Sequence, residues 1–168
     1  MNNREEVILV DENDRERGTM EKLEAHRKGE LHRAFSVFVF DSDGYMILQQ
    51  RAAEKYHSAG LWTNTCCSHP RPGEDLAMAA ARRLKEEMGL NTPLVRRTSF
   101  IYRAEFENGL VEHEFDHIFT GVTDADAEPD PAEVADVRWM RPDEIRAEIK
   151  ADPSRFTPWF RIAMEQFF

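Results

Sequence analysis

The 168-residue sequence has no apolar run approaching the roughly 20 residues that span a bilayer, so a helical membrane protein is excluded. Its start, MNNREEVILVDEND, lacks the basic flank and apolar stretch of a secretory signal, and a cytoplasmic location is the default expectation. Cysteine is scarce. The only two, Cys66 and Cys67, are neighbours and therefore strained partners for a disulfide, which argues against a structural bridge and fits a reducing compartment. Basic residues are in deficit: 22 Lys and Arg against 32 Asp and Glu leave a net charge of −10. That balance cannot make the broad basic face of a non-specific nucleic-acid binder, and an anionic ligand would need local cations or metal ions to hold it. Internal repeats and low-complexity tracts are absent as well.

What is present reads as one folded domain over residues 1–168. The content is 41% hydrophobic and 32% charged, and the length suffices for one buried core but not for two ordinary domains. EVILVD at residues 6–11 is a short strand, and residues 34–51 read as two strands joined at Asp43-Gly44. Residues 52–72 lack periodicity and read as an irregular loop with a functional role, carrying Trp62, Cys66, Cys67 and His69. A helix follows over residues 74–90 and stops at Gly89. A second hairpin turns at Asn108-Gly109, and its second arm alternates Glu112, Glu114, Asp116 and Ile118 against Val111, His113, Phe115 and His117. The strand VRWM, a helix opened by Pro142 and a last helix containing Pro158 and Trp159 complete a mixed sheet covered by helices.

Three of the six histidines, His26, His32 and His69, lie in polar or charged segments. Imidazoles suit divalent transition metals, and the i, i+2 pair Glu112 and Glu114 sends two carboxylates to one face of a strand as a complement. The bland alternative is a wet, polar sheet face. On the helix, Arg83 and Glu87 at i, i+4 could equally be a weak surface ion pair. Arg51 and Lys55 could be ordinary surface charges, and Trp62 and Trp159 plain core residues.

Residues 68–90, with Glu74, Glu86, Glu87 and Gly89 in register, resemble most of the Nudix box, which holds a divalent cation against a diphosphate. Ser68 stands in place of the box glycine and Arg83 in place of the first glutamate of its helix, two departures that argue against a Nudix hydrolase of a nucleoside diphosphate derivative, the alternative reading. KLEAHRKGELHRAFSVFVF, WTNTCCSHPRPGE, VEHEFDHIF and TPWF, in that order, resemble the type I isopentenyl-diphosphate isomerase family over nearly the whole chain.

The resemblance implies an α/β/α sandwich of Nudix type with a mixed sheet, and an isomerase of isoprenoid biosynthesis that transposes a C=C bond between isopentenyl and dimethylallyl diphosphates. It implies a divalent metal, Mn2+, Zn2+ or Mg2+, on His26, His32, His69, Glu112 and Glu114, and Mg2+ bound with the substrate diphosphate through Glu87. Lys22, Arg51, Lys55 and Arg83 would grip the diphosphate, with Trp159 facing the cationic transition state and Trp62 closing the cavity. Cys67 and Glu114 would be the acid/base pair, with Tyr102 beside the carboxylate. If residues 63–69 run extended, Cys67 shares a face with His69, while Cys66 points away with Asn64 and Ser68 as a small buried residue. Activity is expected to fall below about pH 6 as imidazoles protonate. The expected partner is a small isoprenoid diphosphate, with neither nucleic acid nor membrane, and the expected state a monomer or weak homodimer.

Overall fold

The computed structural model describes residues 5–55 and 57–168; the first four residues, part of the polar start noted above, and Tyr56 lie outside it. The chain runs β1 (Glu6–Val10), β2 (Glu16–Glu21), α1 (Lys22–Lys28), β3 (His32–Phe40), β4 (Met46–Arg51), β5 (Trp62–Thr63) and β6 (Cys66–Ser68). It continues through α2 (Leu76–Met88), β7 (Val95–Glu105), β8 (Val111–Val122), β9 (Val134–Met140), α3 (Pro142–Ala151) and α4 (Pro158–Gln166).

β3 is the spine. It pairs in parallel with β8, bringing His32 opposite Glu114 and Ser36 opposite Ile118, and antiparallel with β6, bringing Ser36 opposite Cys67. β7 pairs antiparallel with β8, and β4 with β9, so the sheet is mixed as expected. One face of β3 packs Phe38, with Ile118 of β8, against Trp159 and Phe160 of α4 and Ile145 of α3. The other packs Phe35, Val37 and Val39, with Phe119, against Leu84 and Met88 of α2. Coverage on both faces explains why AFSVFVF is apolar nearly throughout rather than alternating.

The hairpin at Asp43-Gly44 forms, and the Asp41 carboxylate accepts from the backbone N–H groups of Asp43 and Tyr45. Its strands then part: within this hairpin only Phe40 and Met46 pair. Thr65 occupies the opening, its hydroxyl accepting from Val39 N–H and donating to Ile47 C=O, while the Gln49 amide donates to Thr65 C=O. This wedge admits β6 beside β3. The expectation of an irregular loop over residues 52–72 is therefore corrected, because β5 and β6 are sheet strands within it.

β2 and α1 carry no pattern that the sequence reading used: β2 is largely exposed, and α1 is seven residues capped by the Glu21 carboxylate and closed by Gly29. α2 is capped by Asp75, and its C-terminal carbonyls of Met88 and Glu87 accept from Glu128 and Asp130 N–H, docking the acidic loop onto the helix end.

That docking makes Gly89 doubly constrained. Its φ is +64°, and a Cβ there would lie 2.7 Å from both Cβ and O of Glu128. Gly44, at φ +87°, has nothing within 4 Å. Gly44→Ala should lose about 1–2 kcal/mol for the left-handed backbone alone, and Gly89→Ala distinctly more in urea unfolding. Equal losses would show that the loop does not press on this helix end.

Candidate active site

The short α1, the start of β3, the residue after β6 and two positions of β8 converge on one polar cluster. His32 Nε2 lies 3.3 Å from His69 Nε2 and 3.7 Å from Glu114 Oε1, and His69 Nε2 lies 3.3 Å from the same oxygen. His26 Nε2 is 3.9 Å from Glu112 Oε1. The donor atoms of His26, His32, His69 and Glu114 lie within 4.8 Å of one another. His32 Nδ1 is 2.9 Å from the Glu30 carbonyl, which can only accept, so Nδ1 carries the proton and the Nε2 lone pair faces the cluster.

Charge states follow from burial. Burial first, then the neighbouring His69 and His32, holds His26 down to about 3, and burial likewise lowers His69. Burial and the Glu114 charge push Glu112 well up. Burial would raise Glu114 too, but its close contacts with Glu112, His32 and His69 outweigh it and keep it well below the usual carboxylate range. Among the described residues, Glu112 Oε2 is buried with no hydrogen-bond partner. Neutral imidazoles with converging lone pairs and an unsatisfied carboxylate oxygen fit a divalent cation.

Beside the cluster lies a cavity of about 70 Å3 lined by Cys67, Tyr102, Trp159, Glu112 and Glu114, with the cations Lys22, Arg51, Lys55 and Arg83 around it. Trp159 Nε1 donates to Asn64 Oδ1, and the Arg51 guanidinium lies 5.4 Å from the Trp159 ring centre. Burial pushes the Cys67 thiol well up despite Arg51, so it keeps its proton. Burial and the charges of Glu112 and Glu114 do the same for the Tyr102 phenol.

Residues 30–160 match the NUDIX domain. Isopentenyl-diphosphate Delta-isomerase of Pectobacterium atrosepticum is 53% identical over 94% of this chain and 88% of its own length. The isomerase of the same name from Nocardia farcinica is 51% identical over 95% and 92%. The chain belongs to the isopentenyl-diphosphate Delta-isomerase family. A crystal structure from Deinococcus radiodurans superposes with a TM-score of 0.83 over 98% of this chain and 99% of that one at 19% identity, a likeness of fold alone. A MutT protein from Methanosarcina mazei gives 0.66, over 82% and 92%.

Of the residues that the isomerase family resemblance singled out, all but Trp62 belong to the cluster or the cavity wall. Trp62 packs in the core beneath Arg138, 5.5 Å from its ring centre, and its carbonyl anchors Thr157 at the start of α4. It braces Trp159's helix rather than closing the cavity. The wet-face reading of Glu112 and Glu114 fails, since both are 5% exposed. Strict alternation also fails, because Asn64 turns to Trp159 and Ser68 reaches the cavity. Cys66 is buried as expected but is not merely apolar filler: its Sγ donates to Glu87 Oε2 at 2.6 Å. Arg83, 3.3 Å from the same carboxylate group at Oε1, completes the hold on Glu87.

Among the titratable groups of the cavity, sequence reasoning missed Glu5, His57 and Glu133. Glu133 pairs with Lys55 and lies 3.7 Å from Arg83, and Glu5 pairs with Lys22 at 2.7 Å. His57 sits 3.6 Å from Glu112 through Nε2. A histidine two residues after Lys55 in the loop was the one available signal.

Burial is the main cause that holds both His26 and His57 down to about 3, so these two rings stay neutral below pH 6. A group with that value is uncharged at pH 5, where an ordinary imidazole, titrating near 6.5, is charged. Nitrogen-15 NMR of the metal-free protein at pH 5 should therefore show neutral rings at both positions. Charged rings there would mean that the cluster opens to solvent.

Proposed function

We propose that the protein interconverts isopentenyl and dimethylallyl diphosphates by moving a proton on and off the carbon chain. The observation that carries this reading is that one cavity brings together the Cys67 thiol and the Glu114 carboxylate, a pair of groups able to give and take a proton. Arg83 supports the isomerase over the hydrolase reading: where the Nudix box carries a glutamate, this chain has a guanidinium already engaged with Glu86 and Glu87.

The residues present fit a divalent ion at His26, His32, His69, Glu112 and Glu114, which we read as Mn2+, Zn2+ or Mg2+, and Mg2+ at Glu87 with the diphosphate. Bound there, such ions supply positive charge against carboxylate and phosphate oxygens. Lys22, Arg51, Lys55 and Arg83 hold the diphosphate, whose arrival must loosen the Lys22–Glu5 and Lys55–Glu133 pairs. One of Cys67 and Glu114 gives a proton to the terminal alkene carbon, the π electrons forming the new C–H bond. The other takes a proton from the allylic carbon, and that C–H pair becomes the new double bond. Trp159 offers its ring face to the positive charge that develops between the two events, worth about 2 kcal/mol when desolvated. The Tyr102 phenol, on the residue paired opposite Glu114 across β7 and β8, stands as a donor to the neighbouring Glu112 carboxylate.

We also read the chain as one domain, because a single sheet carries all nine strands described. No helix among the described residues is long and apolar enough to cross a membrane. A cytoplasmic monomer or weak homodimer is our reading of the setting.

Incubation with isopentenyl diphosphate and magnesium in deuterated water should yield the dimethylallyl isomer, labelled at its new methyl group, without phosphate or pyrophosphate. Rapid phosphate release with no isomer would overturn the assignment. Cys67→Ala should lose about 10^3-fold or more in turnover, the scale of a missing general acid or base, while still binding metal. Cys66→Ala should keep the chemistry but need more magnesium, because Glu87 loses its thiol donor. A fully active Cys67→Ala would place the proton transfer elsewhere.

A further inference from the structure

His57 lies in the loop after β4, outside the motifs that carry the family resemblance, yet it is 7% exposed. Its ring stacks on Phe106 at 4.6 Å with an interplanar angle of 14° and meets Trp159 edge-on at 6.1 Å. Its backbone carbonyl accepts from Arg51 Nη2 at 3.2 Å. The ring is thus clamped on several sides, and its orientation is specific. Nδ1 lies 3.2 Å from Ser58 Oγ, while Nε2 faces Glu112 Oε1 at 3.6 Å, with the His26 ring edge 5.8 Å away between centres.

The donor atoms of His26, His57 and Glu112 lie within 4.8 Å of one another, the same span as the donors of His26, His32, His69 and Glu114. The two groups share His26, so they are two sides of one polar centre. A separation of 3.6 Å is too long for a good hydrogen bond. It suits two ligands of one ion: with metal–ligand bonds of about 2.1 Å, neighbouring octahedral donors stand about 3 Å apart and opposite ones about 4.2 Å. The separations of 3.3, 3.7 and 3.9 Å elsewhere in the cluster fall in the same interval. Glu112 meets both His26 and His57 through Oε1, and its Oε2 is buried without a hydrogen-bond partner among the described residues.

We propose that His57 supplies a further imidazole ligand, through Nε2, to the divalent ion held by His26, His32, His69, Glu112 and Glu114. The protein then completes the coordination that solvent would otherwise fill. An additional imidazole biases the site toward transition ions and away from magnesium, which prefers oxygen donors. The plain alternative, a ring that only plugs the gap between Phe106 and Trp159, requires stacking but no nitrogen at that position.

The inference rests on the metal reading of the cluster, and cobalt separates the two. Metal-free wild type, His57→Ala and His57→Gln are titrated with Co2+ against a chelator, and X-ray absorption counts the imidazoles around the bound ion. Both variants should show one imidazole fewer and bind Co2+ about 10- to 100-fold more weakly, the scale of losses around metal sites, with cobalt's preference over magnesium reduced. Circular dichroism of the metal-free proteins checks folding, and His57→Gln carries the test if the alanine variant does not fold. An unchanged imidazole count and affinity in a folded variant overturns the role of His57 while leaving the cluster standing. A wild type that takes up no cobalt overturns the cluster itself.

Discussion

Burying negative charge on one face of β8 is the constraint to which the rest of the structure answers. Glu112, Glu114 and Asp116 are all nearly inaccessible, and an ionised carboxylate taken out of water is strongly unfavourable unless it is paired or neutralised. The protein uses both remedies. Ser36 donates to Asp116, which burial and the Glu114 charge keep in its protonated range. Glu112 is likewise driven toward its neutral form, while Glu114 collects the donors and stays ionised. Imidazoles complete the arrangement, and burial drives His26 and His69 toward the neutral form in which a ring nitrogen can ligate a metal.

The same constraint explains why two adjacent thiols differ so much. Thr65 prises β3 from β4 with its hydroxyl, and the chain that enters the gap lays Cys66 toward α2 and Cys67 toward α4. One thiol therefore meets the helix whose C-terminal end presents Glu87. The other meets the cavity of Tyr102 and Trp159. The wedge is a single threonine, and the separation of the Glu87 carboxylate from the Cys67 thiol depends on it.

Legibility in the sequence followed the range of the interactions. α2 was readable because its stop, Gly89, is local, and the face shared by Glu112 and Glu114 was readable from strand alternation alone. The β7–β8 turn was readable from Asn108-Gly109. β6 was not, since Cys66–Ser68 becomes a strand only because a gap in a distant hairpin receives it. α1 was not, since a seven-residue polar helix has too little periodicity to stand out and is held by Glu21 and Gly29 at its ends. Glu133 and Glu5 reach the cavity through contacts 78 and 17 residues away along the chain, for which no spacing rule exists.

The charge of the cavity wall bears on the order of binding. Lys22, Arg51, Lys55 and Arg83 line it, but so do Glu5, Glu87, Glu112, Glu114 and Glu133, so the carboxylates at least match the cations in number. Lys22, Lys55 and Arg83 are already engaged, with Glu5, Glu133 and the pair Glu86 and Glu87 respectively. In a chain of net charge −10, such a wall offers an incoming diphosphate little net attraction. A divalent charge beside Glu87 or among the histidines changes that sign locally, and buried charges are poorly screened by salt. On the proposed metal reading, the carboxylates that seem to oppose an anionic substrate are thus the groups that would recruit the positive charge needed to admit it.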